Sequence, residues 1–479
     1  AGFVGKGMLT AAVCGDVFAS PSVDAVLAGI QAVTGKAGCL LVVKNYTGDR
    51  LNFGLAAARA RELGVKVNMV VVQDDIAIPE LGRPRGVAGT LFVHKISGAV
   101  AENGGTLEEV TDAAERAAQK TISIGMSLSS CTMPGSIRDD RISEGNIELG
   151  LGIHGEPGAE QIPFQNAKDA IAKAAAKLEP RLSGFRYVAL VNNLGSTTAL
   201  EMAVLTEELR NSVIGDKISH VIGPAHVMTA LDMHGFSVSL FPLSDTDQEL
   251  LEANTPLMAW PGMQRLVQPM PLPLPSSPAR AAPHPSRHGE RARIIRTACH
   301  ALISAEAELN SLDAKTGDGD TGTTLATAAH ALEGRLDDLP LADLTELFQA
   351  ISRELTQTMG GSSGVLLAIL FSAAGEASAK GEDPINALKF GMCRVQEVGG
   401  ARLGDRTLID ALAPALESLD DGIGAAATAA RAGATSTAKM LKAHAGRAAY
   451  VGEQQLEGNV DPGAEAVALL FEHISAAPI

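Results

Sequence analysis

Between Val267 and Ser286 the chain concentrates seven of its 23 prolines, as Gln268-Pro269-Met270-Pro271-Leu272-Pro273-Leu274-Pro275-Ser276-Ser277-Pro278 and then Ala281-Ala282-Pro283-His284-Pro285. Proline lacks an amide hydrogen and fixes φ, so neither a helix nor a central strand can run through such a stretch. It reads as an extended, semi-rigid polyproline II spacer that holds two domains apart yet lets them meet. The spacer divides the sequence into residues 1–264, a linker over 265–289, and residues 290–479.

The two sides differ in texture. Upstream, short β-branched runs alternate with helical stretches: a strand at Cys39 to Val43, a helix at Arg50 to Leu63 and a strand at Val65 to Val72 form a βαβ unit. Gly89 to Val93 and then Thr106 to Lys120 continue the alternation, which restarts with a strand at Tyr187 to Val191, a helix at Thr198 to Arg210 and a strand at Phe236 to Phe241. This predicts two α/β lobes. Downstream nothing reads as a strand. Eight helices are predicted: Arg291 to Asn310, Thr324 to Leu332, Leu344 to Met359, Gly364 to Ala379, Pro384 to Gly399, Leu408 to Leu419, Ala425 to His444 and Gly463 to Ile474. Ala fills 12 of the 25 positions from 425 to 449, which permits close helix approach in an all-α domain.

Charge and cysteine usage narrow the partners. With 39 basic and 55 acidic residues the net charge is −16, so the protein's field repels phosphate backbones and anionic lipid, and nucleic acid is a poor partner. Cys14, Cys39, Cys131, Cys299 and Cys393 are odd in number and form no C-x-x-C pair, as in a reduced cytoplasmic protein. No apolar run reaches the ~18 residues of a membrane helix. The chain opens Ala1-Gly2-Phe3-Val4 without an initiator Met, the pattern of a start inside a longer polypeptide.

The strongest polar cluster is Leu312-Asp313-Ala314-Lys315-Thr316-Gly317-Asp318-Gly319-Asp320-Thr321-Gly322-Thr323-Thr324. Three carboxylates on a glycine-loosened loop before a helix can converge on Mg²⁺ and a phosphate, and Thr323 and Thr324 add hydroxyls at the positive end of a helix dipole. An Asp/Gly-rich solvated turn would look the same. An EF-hand fits less well, because no Glu stands at the twelfth loop position. Gly360-Gly361-Ser362-Ser363-Gly364, the run Gly399 to Thr407 and Asp461-Pro462-Gly463 open further helices, and several such termini at one end of a bundle would make a nucleotide-sized anion site. Singly, each is ordinary capping.

In the α/β half, Lys44-Asn45-Tyr46-Thr47-Gly48-Asp49 follows a predicted strand, where open α/β sheets bind ligands. Asp49 could be a general base or merely the N-cap of the next helix, and Lys44 could hold an oxygen. His154 alone of the 11 histidines sits in a glycine-rich turn, Gly150-Leu151-Gly152-Ile153-His154-Gly155-Glu156-Pro157-Gly158, and a buried structural role is the competing reading. His220, His226 and His234 read as packing residues.

Gly2 to Met8, Val43 to Asp49, Gly152 to Gly158 and Ala230-Leu231-Asp232-Met233 resemble the substrate-binding domain of dihydroxyacetone kinases. Asp313-x4-Asp318-x-Asp320, Gly360 to Gly364, Gly404-Asp405-Arg406-Thr407, Gly446 to Tyr450 and Asp461 to Gly463 resemble their nucleotide-binding domain, in matching order, as in the single-chain ATP-dependent type. The resemblance implies a two-lobed α/β domain and an antiparallel eight-helix barrel, a cytoplasmic homodimer, and ATP-dependent phosphorylation of dihydroxyacetone or glyceraldehyde. It implies that His154 forms a hemiaminal with the ketone, that Lys44 and Asp49 contact substrate with Asp49 in acid/base work, and that Asp313, Asp318 and Asp320 hold Mg²⁺. Around the ATP it places Thr321, Gly322, Thr323, Thr324, Ser362, Ser363, Gly399, Leu408, Arg447, Asp461, Pro462 and Gly463. Members of the family carry a further acid/base His in a Ser-Gly-His-Glu-Pro-like motif upstream of Ala-Gly-Phe; by this resemblance that motif and about 60 residues are absent from the sequence, as in a truncated protein or in a numbering that begins at an internal residue. Two other readings remain: cleavage of FAD to cyclic FMN by the same nucleotide domain, and a non-catalytic homologue that senses ketones.

Overall fold

The computed structural model describes residues 2–78, 84–137, 141–184, 186–273 and 284–477. The chain separates into two compact units, Ala1–Pro273 and Leu274–Ile479. Gln268 to Pro273 run without regular structure, while the rest of the predicted spacer, 274–283, lies outside the described residues.

Among its described residues the first unit holds nine strands, β1 (Cys39–Lys44), β2 (Val67–Val72), β3 (Ile122–Ser127), β4 (Asn146–Leu149), β5 (Glu160–Pro163), β6 (Tyr187–Asn193), β7 (Ile218–Ala225), β8 (Gly235–Pro242) and β9 (Met263–Arg265). Its helices are α1 (Val23–Val33), α2 (Thr47–Glu62), α3 (Thr90–Glu102), α4 (Leu107–Lys120), α5 (Ala167–Leu178), α6 (Ala199–Asn211) and α7 (Asp245–Glu252).

β1 and β2 pair in parallel, joined by α2 as the βαβ pattern predicts. Their residues alternate between two cores. Leu41, Val43 and Val67 meet α1 and α2, whereas Val70 and Val72 meet α3 and α4. The larger sheet runs β5-β4-β3-β8-β6-β7-β9, with only β6 and β7 parallel. One face packs on α5 and α6, and the other shares the core of α3 and α4. A bridge from Asp75 to Ser123 ties the end of the small sheet to the large one.

The run from Gly89 to Val93 is not a strand. It begins α3, whose Leu91, Phe92, Val93 and Ile96 are all buried. A short apolar run looks alike in a buried strand and in a helix enclosed on every side. Five strands, β3, β4, β5, β7 and β9, carried no clear signal, because four of them are antiparallel segments with polar residues such as Glu148 and Gln161 in the pairing.

The second unit has ten α-helices among its described residues: α8 (Gly289–Ser304), α9 (Glu306–Thr316), α10 (Thr321–Gly334), α11 (Leu344–Thr358), α12 (Gly361–Ala379), α13 (Pro384–Gly399), α14 (Ile409–Glu417), α15 (Ile423–Thr437), the short α16 (Glu453–Leu456) and α17 (Pro462–Ala476). Eight long helices close a ring, in which each of α10 to α14 packs on the next, α15 packs on α17, α17 on α8 and α8 on α10. Neighbours joined by short turns run antiparallel. Ala426, Ala430 and Ala434 on one stripe of α15 are fully buried, so its packing depends on small side chains, and larger ones there would cost about 1–3 kcal/mol each.

Two boundaries differ from expectation. The first predicted helix breaks at Ala305 and resumes as α9, which runs on to Thr316. The helix predicted to reach His444 stops at Thr437.

Candidate active site

In the first unit, Lys44 ends β1 and Asp49 lies in the first turn of α2. Asp49 is not the N-cap; that position is Tyr46, which makes no side-chain cap. His154 sits between β4 and β5. All three line one cavity of about 590 Å³, together with Asp16, Phe18, Ser20, Tyr46, Met228 and Thr229. Burial lowers the Lys44 pKa, opposed by the nearby charges of Asp49 and Asp74. Asp74 is itself buried and accepts hydrogen bonds from Val87 N (2.8 Å), Gly89 N (2.8 Å) and Ser123 Oγ (2.5 Å), yet desolvation still raises its pKa.

The His154 loop is held from several sides. Arg85 pairs with buried Asp75 at 2.7 Å and donates to the carbonyl of Gly150 at 2.5 Å. Arg141 pairs with Glu148 and reaches the carbonyls of Gly155 (3.4 Å) and Glu156 (3.5 Å). The imidazole meets the rings of Tyr46 and Phe18 edge-on, with centroids 4.3 Å and 5.4 Å away. Phe18 adopts φ +57°, a conformation that costs a bulky residue energy and is held by its surroundings.

Glu156 folds back beneath the histidine, accepting the His154 amide at 2.8 Å, with its other oxygen 3.6 Å from Nδ1. Burial alone would raise its pKa, but the facing His154 ring and the backbone N–H groups of the loop hold it down to about 2. A Cβ on Gly152 would lie 2.3 Å from the Glu156 carboxyl carbon, so only glycine leaves room for this fold-back. Burial and then the Glu156 charge push the Tyr46 phenol well above its ordinary pKa. Glu156, Tyr46 and Phe18 were missed as individual site residues. Glu156 was visible as the one acid in the glycine-rich turn, whereas nothing local marks Phe18.

In the second unit the alternation of the ring brings the N-termini of α10, α12, α14 and α17 to one end, together with Gly399 at the end of α13. Asp313 lies on the last turn of α9, not on a loop, and its Oδ2 accepts from Asp320 N (3.0 Å) and Thr321 N (3.2 Å). Oxygens of Asp313, Asp318 and Asp320 lie within 4.8 Å of one another. The guanidinium of Arg447 contacts Asp318 and stands 4.0 Å from Asp320. Three hard carboxylate oxygens at this separation, two of them exposed, fit a Mg²⁺ ion that also keeps phosphate and water ligands.

The surrounding loops are tied together. Thr323 donates its hydroxyl to Glu306 and accepts from Asn310, so that side chain is engaged within the protein, while Thr324 N closes the first turn on Asp320. Asp405 joins His444 at 2.9 Å, and Asp410 accepts from Gly404 N and Thr407 N. Arg406, fully buried with φ +59°, donates to Asn459 O and lies 3.9 Å from Asp461. Asp461 caps α17 through Ala464 N, and burial raises its pKa to about 6. Leu408 packs on Gly463, where an added Cβ would lie 3.3 Å away, and Gly399 lies against Leu366 of α12. Gly322 and Ser363 stand in the first turns of α10 and α12; Ser362 is described only by its backbone there. Pro462 is the first residue of α17.

Elsewhere, His220 is buried beside Ser219, and His234 pairs with Glu201 at 3.0 Å. His226 Nε2 lies 3.2 Å from Gly195 O. Among the described residues no helix is long and apolar enough to cross a membrane.

A cavity of small-molecule size beside a histidine and, in the other unit, helix termini around an acid cluster able to hold a metal fit a two-unit phosphotransferase. Residues 1–259 match the Dak1 domain and residues 315–476 the DAK2 domain. The chain belongs to the dihydroxyacetone kinase family. It is 47% identical to dihydroxyacetone kinase of Citrobacter freundii, over 99% of this chain and 87% of that one. It is 38% identical to triokinase/FMN cyclase of Homo sapiens, over 99% and 88%. The crystal structure of the C. freundii kinase in complex with AMP-PNP and Mg²⁺ superposes with a TM-score of 0.62 at 46% identity, over 99% of this chain and 87% of that one.

Proposed function

We propose that the protein phosphorylates dihydroxyacetone, and glyceraldehyde as a second substrate, using ATP and Mg²⁺. The observation that carries this reading is the pairing of a cavity lined by Lys44, Asp49 and His154 with a cluster of Asp313, Asp318 and Asp320 at the helix termini of the other unit. The full-length similarity to relatives named for this activity supports it.

In this reading His154 adds to the substrate carbonyl as a hemiaminal, which selects ketones and aldehydes over glycerol because glycerol has no electrophilic carbon. Lys44 holds a substrate oxygen. Asp49 takes the proton of the terminal hydroxyl as its oxygen bonds to the γ-phosphorus and ADP departs. Asp313, Asp318 and Asp320 would hold Mg²⁺, which neutralises charge on the phosphate oxygens. Thr321 to Thr324, Ser362, Ser363, Gly399, Leu408, Arg447 and Asp461 to Gly463 surround the nucleotide, with backbone N–H groups at the helix termini facing its phosphates.

A coupled assay of ADP release tests this directly. Dihydroxyacetone-dependent turnover that needs Mg²⁺ supports it; turnover with glycerol, or none with either triose, contradicts it. The human relative's name favours a second reading, FAD cleavage to cyclic FMN by the helical unit. His154→Ala separates the two, because it removes the kinase reaction and leaves flavin cleavage. A ketone sensor would have no use for the acid cluster, and absence of Mg²⁺-dependent ATP binding in calorimetry would be its signature. The chain acts as a homodimer in the cytoplasm in this reading, which light scattering and cell fractionation test.

A further inference from the structure

We infer that Glu156 is a positioning residue for His154, fixing the imidazole with its proton on Nδ1 and leaving the lone pair on Nε2 for the substrate carbonyl. The inference rests on the reading of His154 as the group that adds to the ketone.

Three observations carry it. One carboxylate spans both the His154 amide (2.8 Å) and its Nδ1 (3.6 Å), so backbone and ring are referred to the same anion. The longer contact closes with a small ring rotation, as contacts in ligand-free sites commonly do. The fold-back of Glu156 depends on Gly152, and Arg85 and Arg141 pin the carbonyls of Gly150, Gly155 and Glu156, so the loop has little freedom to carry the acid away. The edge-on rings of Phe18 and Tyr46 flank the imidazole and restrict its rotation. A neutral imidazole places its proton on the nitrogen that faces an acceptor, which here is Nδ1.

The step balances as an addition of N–H across C=O. The Nε2 lone pair bonds to the carbonyl carbon, and the C=O π pair passes to oxygen. The Nδ1 proton, shed as the ring becomes positive and relayed through Glu156 or solvent, then neutralises that oxygen. The groups facing the site are Lys44, Asp49 and Asp16 along the cavity, Tyr46 over the ring, and the Asp75–Arg85 and Glu148–Arg141 pairs behind the loop.

Glu156→Gln tests it in the full-length protein. Glutamine keeps an oxygen for the His154 amide but offers N–H to Nδ1, which drives the ring proton to Nε2 and removes the nucleophilic lone pair. ¹⁵N NMR of ring-labelled histidine, assigned with His154→Ala, should show a protonated Nδ1 and bare Nε2 in the wild type and the reverse in Glu156→Gln. Turnover should fall at least 10–100-fold with the Kd for Mg-ATP unchanged, while the α/β unit melts at a lower temperature because its stabilising carboxylate is gone. A wild-type ring protonated on Nε2, or an unchanged tautomer in the variant, overturns the inference. The wild-type spectrum decides by itself if the variant does not fold. A wild-type Nδ1–H tautomer without a covalent adduct would instead refute the hemiaminal and leave the positioning role standing.

Discussion

In the α/β unit the His154 loop is gripped by Arg85 and Arg141, and its acid, Glu156, is surrounded by hydrogen-bond donors that hold its pKa down to about 2. In the helical unit the acids stand at a rim: Asp318 and Asp320 are exposed, and Arg447 is their neighbouring cation. In the first site the acid of the loop finds its partners within the protein. The second gathers like charges that only a cation can reconcile. In the proposed reading this difference suits the two ligands, since a neutral triose would be placed by rigid side chains, whereas a nucleotide polyphosphate would bring a metal that orders its own site.

The largest expected effect separates the two sites outright. His154→Ala should lower kcat/KM for dihydroxyacetone by at least ~10³-fold, the loss of a covalent anchor, while calorimetry finds Mg-ATP binding unchanged. A parallel loss of nucleotide binding would show that the two sites are not independent. Next, Asp318→Asn should weaken Mg²⁺-dependent ATP binding by about 100-fold or more, yet the metal-free melting temperature should hold or rise, because one of three crowded charges is gone. Without the metal, the wild-type helical transition should lose its ATP-dependent stabilisation, about 2.7 kcal/mol at 100 times Kd.

Two carboxyl groups give opposite pH windows. Glu156 has its pKa lowered from 4.5 to about 2, so it adds stability that is full above about pH 4.5 and lost as pH falls toward 2. Asp461 is raised from 3.8 to about 6, so its contribution is full below pH 3.8 and lost as pH rises through 6. The rise from 3.8 to about 6 is worth about 3 kcal/mol at most. Fluorescence of Trp260, the one tryptophan and buried in the α/β unit, follows the first unit while calorimetry follows both. Melting temperatures that move together across pH 4 to 6 would contradict the assignment. The smallest effect is structural: Lys95 Nζ donates to Leu250 O (2.9 Å) and Ala253 O (2.7 Å) at the end of α7, so Lys95→Met should cost about 1–3 kcal/mol in chemical denaturation without changing KM for ATP.

The helical unit was the more legible in sequence, because amphipathic stretches separated by Gly- and Asp-bearing turns mark their own ends. What escaped was the extension of α9 to Thr316, since Asp313 and Lys315 look like loop residues until Asp313 is seen accepting two amides from the following turn. In the α/β unit β1, β2, β6 and β8 were legible from β-branched runs, while β4 and β5 owe their existence to partners far along the chain. The same distinction holds at the site. Lys44, Asp49 and His154 lie in recognisable local contexts. The aromatic contact of Phe18 with His154 spans 136 positions, 154 − 18, and depends on a backbone conformation that no local pattern announces.

The proposed reaction carries the triose covalently on His154 of the α/β unit. The direct measurement is NMR of [2-¹³C]dihydroxyacetone bound to protein with ¹⁵N-labelled histidine rings. The expected spectrum shows a tetrahedral carbon with one-bond coupling to a ring nitrogen, lost in His154→Ala; this coupling distinguishes the adduct from free hydrate. A bound carbonyl that stays trigonal and uncoupled in the wild type, with turnover intact, would contradict it.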